Sequence, residues 1–425
     1  MQTYCKDIDI TDYDLVRIAV VDCLRNKHRR KDVIEMLARV TGRPPVVMER
    51  DMIEKGLGNM PEVVDAVVSD CIRQINVRKL DIKEIWYTHK RDSSSHKMRE
   101  IGIQDVTQQI FDYIAVYGLL PVLRRVGEYQ CAAIPGKGQS YGIKTIRRWL
   151  RNPNIKYACQ CDIRKCYPSV DRDRLMTFLR KRVKNEPLLW LVETLIGTFK
   201  EGLSIGSYLS QWLCNLWLST LYHYVSEELF KMRRDKRVRL VRHVLFYMDD
   251  VLFLGTSSSD LMKAFRAFKQ KAAEMGFEIK ESWRVWQITD DVFIDMMGAR
   301  IYRDHATIRR RVFIRIRRNF RQVKRQIDTH QKVPTGSARK CIAYYGTLIH
   351  TDSFKLMKKL RVRRSVNICR RIISNDAKNR LFDDHDAVCH DADDRRSCAH
   401  PDLSQRARGR VLGLRNDEEG TPVRI

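Results

Sequence analysis

No two cysteines stand at the Cys-x-x-Cys spacing of a redox motif or a zinc knuckle; the 12 cysteines are scattered along the chain. Scattered cysteines without a secretory leader read as reduced core thiols, not as a disulfide framework. The sequence also has no apolar run near the roughly 18 residues that a membrane span needs. Its first residues, Met1 to Asp7, lack the basic-then-apolar layout of a signal peptide. The glycine-punctuated stretch Ile134 to Gly142 has no Gly-Lys-Ser/Thr ending, which argues against a P-loop hydrolase. These absences give the expectation of a cytoplasmic protein that makes no use of a membrane. Acidic residues are in short supply: 52 against 80 Lys and Arg, a net charge of +28. An excess that large calls for a polyanionic partner, and nucleic acid is the leading one.

What is present divides the chain into four parts. Residues 1–85 read as a helical extension. Asp12 or Asp14 is placed to cap a first helix, and Pro61 opens another with Val64, Val67, Val68, Cys71, Ile72 and Ile75 on one face. Residues 86–301 hold a basic strand over His96–Ile103, an amphipathic helix over Gln108–Leu120 and the basic glycine loop carrying Lys137. A strand then ends at Asp162, and a Gly-Ser loop feeds an apolar helix after Ser207. Beyond Met275 the spacing suggests a strand at Gly276–Lys280 and a hairpin around Met296-Met297-Gly298. Residues 302–373 form a basic helical block. From Arg303 to Arg371 there are 21 Lys and Arg against 3 Asp, a net +18. Arg311, Arg315, Arg318 and Arg325 recur near helical spacing with Phe313, Ile316, Phe320 and Val323 between them, a pattern suited to gripping a duplex. Residues 374–425 are polar and poor in aromatics, with disorder expected. Cys389, His390, Cys398 and His400 match no standard zinc spacing.

The stretch Leu245 to Gly255 sets two adjacent carboxylates, Asp249 and Asp250, inside an apolar run. Such a run reads as strand, tight turn and strand. Two like charges buried side by side are costly unless a cation neutralises them, and Mg²⁺ suits hard oxygen ligands. A polar turn between two strands is the competing reading, just as Asp162 alone reads as a cap or turn residue. Taken together, two carboxylate-bearing strands in one antiparallel sheet could hold two Mg²⁺ ions about 4 Å apart. Nucleases and polymerases both use such sites.

The order of elements narrows the choice. A basic strand, an Asp strand followed by Tyr167, a Gly-Ser loop and helix, Tyr247-Met248-Asp249-Asp250, Lys280 after a helix, and an apolar-Gly hairpin together resemble a reverse transcriptase from about Arg91 to Ile301. Weaker likeness runs to about Arg371. The resemblance implies an α+β right-hand polymerase, with fingers, an antiparallel palm sheet and a helical thumb. It implies Asp162, Asp249 and Asp250 as ligands of two Mg²⁺ ions (Mn²⁺ as a substitute), with the Ile163 carbonyl contributing. Lys280 would protonate pyrophosphate. Lys97 and Arg99 would hold the triphosphate, and Tyr167 would exclude a ribose 2′-hydroxyl. Gly206 and Gln211 would lie at the nucleotide, Met297 and Gly298 at the primer end, and Lys137 on nucleic acid. The partners so implied are template RNA, a DNA primer or cDNA, dNTPs, a dedicated structured RNA and, in some systems, a small accessory protein. Where many relatives carry Gln before the Gly and Pro after the Ser, this chain has Ile205 and Gln211. That variant is similar to the enzymes of diversity-generating retroelements and to some defence-associated ones, and it implies reduced fidelity. An RNA-dependent RNA polymerase more often carries Gly-Asp-Asp, and an RNA chaperone would leave the carboxylates unexplained.

Overall fold

The computed structural model describes residues 2–27, 30–91 and 98–383, with side chains through Ser374. Lys97 and the four Cys and His residues beyond 388 lie outside the described residues.

Four helices come first: α1 (Tyr13–Leu24), α2 (Lys31–Thr41), α3 (Pro45–Glu54) and α4 (Pro61–Asn76). Asp12, not Asp14, caps α1 by accepting the Leu15 N–H, and proline opens both α3 and α4. The apolar face of α4 buries Val64, Val67, Val68, Cys71 and Ile75. A hairpin follows, β1 (Trp86–Arg91) against β2 (Met98–Ile103). Next comes α5 (Val106–Leu123), capped by Asp105. The pattern at 108–120 suggested a one-sided helix, but α5 is longer and buried around most of its circumference. Ile110, Phe111, Ile114, Ala115 and Leu119 are fully enclosed between the N-terminal helices and later ones. Contrary to the expectation that no stretch of the sequence comes near the length of a membrane span, the 18 residues of α5 have the length and hydropathy of one. Here that apolarity lines a protein core.

After β3 (Gln130–Cys131) comes α6 (Gln139–Leu150), with Gly138 at its N-cap. The second half of the expected glycine loop is therefore helix. The chain continues through β4 (Tyr157–Asp162), α7 (Arg172–Arg182), α8 (Glu186–Gly197) and α9 (Tyr208–His223). A short ribbon, β5 (Phe230–Arg233) with β6 (Lys236–Arg239), precedes β7 (His243–Tyr247), β8 (Asp250–Gly255) and α10 (Ser258–Glu274). The central sheet has the order β3-β7-β8-β4-β9, where β9 is Arg284–Gln287; β3 is parallel to β7 and the other pairs are antiparallel. Both faces are covered, which is why these strands read as continuous apolar runs. Val244, Phe246, Val251 and Phe253 point into the main core with α9 and α10. Leu245, Leu252 and Leu254 point to the opposite side, against α6 and a three-stranded sheet of β10 (Ile294–Met296), β11 (Ala299–Ile301) and β12 (Ala306–Ile308).

One expected strand is absent. Residues 276–280 run antiparallel beside the end of β4 but meet it at a single bridge, Ile163 to Ile279, too short a pairing to make a strand. The edge strand is β9, further on. The last described part is helical: α11 (Arg310–Asp328), α12 (Thr335–Ile349), α13 (Phe354–Lys359) and α14 (Val362–Asp383). Ile316, Phe320, Val323, Cys341, Val366 and Cys369 give it a core of its own. All ten described cysteines are buried and free.

Candidate active site

The hairpin β7–β8 turns at Met248-Asp249, with Met248 in the left-handed region at φ 54°. That conformation is unfavourable for a residue with a side chain. It holds because the neighbouring strand pins the turn: the Ile163 N–H donates to the Asp249 carbonyl at 3.0 Å. The register then pairs Asp162 of β4 directly with Asp250 of β8, at the same end of the sheet. Asp249 is thus the turn residue above that pair, where a simpler reading would set it across from Asp162. The segment after α10 clamps the other side of β4. Arg164 N–H donates to the Glu278 carbonyl at 2.8 Å and Lys280 N–H to the Asp162 carbonyl at 2.9 Å. The same Lys280 sets its ammonium against the Asp162 carboxylate.

Electrostatics follow from this crowding. Burial, then repulsion from Asp249 and Asp162, raises the pKa of Asp250 to about 7. Burial and the Asp162 charge also raise that of Asp249, with Lys280 and Arg99 pulling it back. Arg309, which pairs with Asp295 beneath the sheet, plays the same restraining part for Asp250. Among the described residues no three His, Cys, Asp or Glu side chains close into a ready metal cage. The donor set is nonetheless one that Mg²⁺ takes. The ion is held by one or two carboxylates and completes its shell with water and phosphate oxygens, and carboxylates strained by mutual repulsion are those a cation relieves.

Tyr167 lies beside this cluster in a bend after β4. Its hydroxyl reaches the Met248 Sδ at 4.0 Å, and burial raises its pKa. The bend packs on the Gly-Ser loop: Leu203 N–H donates to the Tyr167 carbonyl at 2.9 Å. At Gly202, φ 44°, a Cβ would stand 2.3 Å from the Pro168 carbonyl oxygen, so a side chain is excluded. Gly206 is pressed against β2, where a Cβ would come 2.8 Å from the Gly102 carbonyl oxygen, and Gly102 N–H donates to the Ile205 carbonyl at 3.2 Å. Ser207 caps α9 and is itself held by the fully buried Asp112 of α5, at 2.7 Å.

Other anticipated residues fall further out or face inward. Arg99 is on exposed β2, close enough to act on Asp249. Gln211 is one turn into α9, half-buried, its carbonyl bonded to Asn215. Lys137 donates to the Gly127 carbonyl at 3.3 Å, which ties its loop to the turn before β3. Met297 and Gly298 form the β10–β11 turn, both with positive φ, and the Met297 carbonyl accepts from Gln139. Arg311, Arg318 and Arg325 are exposed and Arg315 half-buried along α11. Two contributors escaped the sequence reading: Arg309, lost in a basic run, and Asp112, a single acid inside an apolar helix.

No curated protein matches the chain. Residues 88–283 match the family described as reverse transcriptase (RNA-dependent DNA polymerase), a stretch that begins in β1 and ends between Lys280 and β9. The chain carries a reverse transcriptase domain and is an RNA-directed DNA polymerase, a nucleotidyltransferase.

Proposed function

We propose that this polymerase transfers deoxynucleotidyl groups from dNTPs to a primer 3′-hydroxyl on an RNA template at Asp162, Asp249 and Asp250, with two Mg²⁺ ions. The observation that carries this reading is the register of β4 on β8, which sets Asp162 opposite Asp250 with Asp249 in the adjoining turn. In this reading the chain is a right hand: the five-stranded sheet is the palm, β1–β2 with α5 and α6 the fingers, and α11–α14 the thumb. Residues 1–85 stand in front as a helical extension. When bound, the cations would lower the pKa of the attacking hydroxyl and offset charge on the departing pyrophosphate. The protein supplies the rest. Tyr167 forms the floor under the sugar, with no room for a 2′-hydroxyl. Arg99 brings positive charge to the triphosphate side. Lys280, moved off Asp162 by the substrate phosphates, is placed to give a proton to pyrophosphate. The Met297-Gly298 turn supports the primer end.

The variant loop from Ile205 to Gln211 favours a retroelement or phage-related setting with a dedicated structured RNA, and anti-phage defence is the neighbouring role. Incorporation of labelled dNTP on a primed RNA template tests the chemistry. Asp249→Asn and Asp250→Asn each lower it by roughly a thousandfold or more, as expected for loss of an electrostatic catalytic group. Retained incorporation in either variant would remove that residue from the site.

A further inference from the structure

Among the described residues the ribbon β5–β6 pairs with no other strand, and it protrudes from the central sheet at the end away from Asp249. Leu240 N–H closes its base on the Leu229 carbonyl, and Arg242 N–H then joins β8 at the Leu254 carbonyl. The five residues of β7 separate this base from the catalytic turn, roughly 16 Å at the rise of a strand. Every residue from Met232 to Arg239 is exposed. Arg233, Arg234, Lys236 and Arg239 make no ion pair among the described residues, and Asp235 is the one acid on the ribbon. The register places Phe230 and Met232 on one face with Arg237 and Arg239. There the Arg237 guanidinium lies 3.6 Å from the Phe230 ring centroid. Lys231 fastens the ribbon to α10 through Asp260 at 2.6 Å, so its attitude is set. Arg242 and Arg148 extend the positive surface onto the end of α6, close enough to help hold His243 neutral.

A free edge with this composition would invite strand pairing in a less charged sequence; Arg and Lys at five of the nine exposed positions oppose that. They favour phosphate. An arginine stacked on an exposed aromatic ring also offers the flat surfaces on which unpaired bases rest.

We infer that the β5–β6 ribbon is a second nucleic-acid surface, which binds the phosphate backbone of a structured RNA outside the primer–template duplex. It would hold a folded portion of the template molecule behind the sheet while its copied portion lies at Asp249. The inference concerns binding alone, so it can fail or hold independently of the catalytic assignment.

The test uses the full chain and two probes without dNTPs: a short primer–template duplex, and the same duplex extended by a stable RNA hairpin. The variant replaces Arg233, Arg234, Lys236 and Arg239 with Ala. Affinity for the extended probe is expected to fall roughly tenfold or more, and its salt slope to shrink by about 3, from the loss of four phosphate contacts. The short duplex should bind as with the parent and, once dNTPs are added in a separate assay, be extended as by the parent; that also reports a folded enzyme. Equal loss on both probes, or none on either, would overturn the inference, the second outcome leaving the ribbon to an acidic protein partner. Restoring charge with Lys at the four positions should recover most of the slope, and failure to do so would also count against it.

Discussion

Asp250 faces Asp162 across two hydrogen-bonded strands, while Asp249 owes its place to a left-handed Met248 that the neighbouring strand holds in position. The three acids therefore differ in how they are built, though sequence shows only two of them as neighbours. Tyr167 is tied to the same cluster through Met248 and through the Leu203 hydrogen bond to its carbonyl. If its ring is the floor under the sugar, Tyr167→Ala opens space where a 2′-hydroxyl would clash. Discrimination against rNTPs should then drop about 10- to 100-fold, the range that steric fit in an apolar pocket supplies, with dNTP turnover changed far less. Comparing kcat/KM for dTTP and UTP on one template measures it; an unaltered ratio would take Tyr167 out of that role. The spacing of Asp162, Tyr167 and Asp249-Asp250 was legible because chain position along a strand fixes direction. Which acid opposes which was not, since register depends on partners far away in sequence.

At the next scale, α9 starts from a built support. Ser207 caps it, Asp112 receives the Ser207 hydroxyl, and the Leu209 N–H points to the same carboxylate at 3.4 Å. Because Gly206 rests on β2 and Gly202 on the Tyr167 bend, this one cap connects α5, the hairpin β1–β2 and the Tyr167 side of the acidic cluster. Burial raises the Asp112 pKa to about 6. The folded protein then holds a proton that the unfolded chain has released, so this group's contribution is complete below the unfolded value near 4. It is lost as pH rises through about 6, a change on the order of 3 kcal/mol. Urea midpoints taken from pH 4 to 7 should fall along this window in the parent and fall less steeply in Asp112→Asn. Parallel curves would refute the assignment. Nothing in the sequence announced this support. An acid in the middle of an apolar helix becomes meaningful only when the loop before α9 is packed over it.

Over the whole molecule, two separate structures each carry a cluster of exposed arginines. On α11 the exposed Arg311, Arg318 and Arg325 share one face, opposite Ile316, Phe320 and Val323, which are sunk in the core with α12 and α14. Replacing these three arginines with Ala should weaken binding of a short primer–template and reduce its salt slope by about 2 to 3. Turnover at saturating duplex should be largely preserved. An unchanged slope in a binding titration at several salt concentrations would show that α11 does not track the duplex. This differs from the ribbon, whose loss should spare the short duplex. Composition reported the excess of charge but could not apportion it: a basic helix and a basic ribbon add the same residues to a count, and only their distance from the acids separates them.

Sequence by itself determined the chemistry-bearing residue types, the continuous apolar runs that bury β7 and β8 on both faces, and the basic face of α11. These are properties of neighbours along the chain, where periodicity and charge act locally. Tertiary structure decided the rest: that Asp162 meets Asp250, that residues 276–280 lie antiparallel beside the end of β4 and deliver Lys280 to Asp162, and that Arg309 and Asp112 belong to the site's support. Each of these depends on groups distant in sequence sharing one low-dielectric space, where burial and register set their energies.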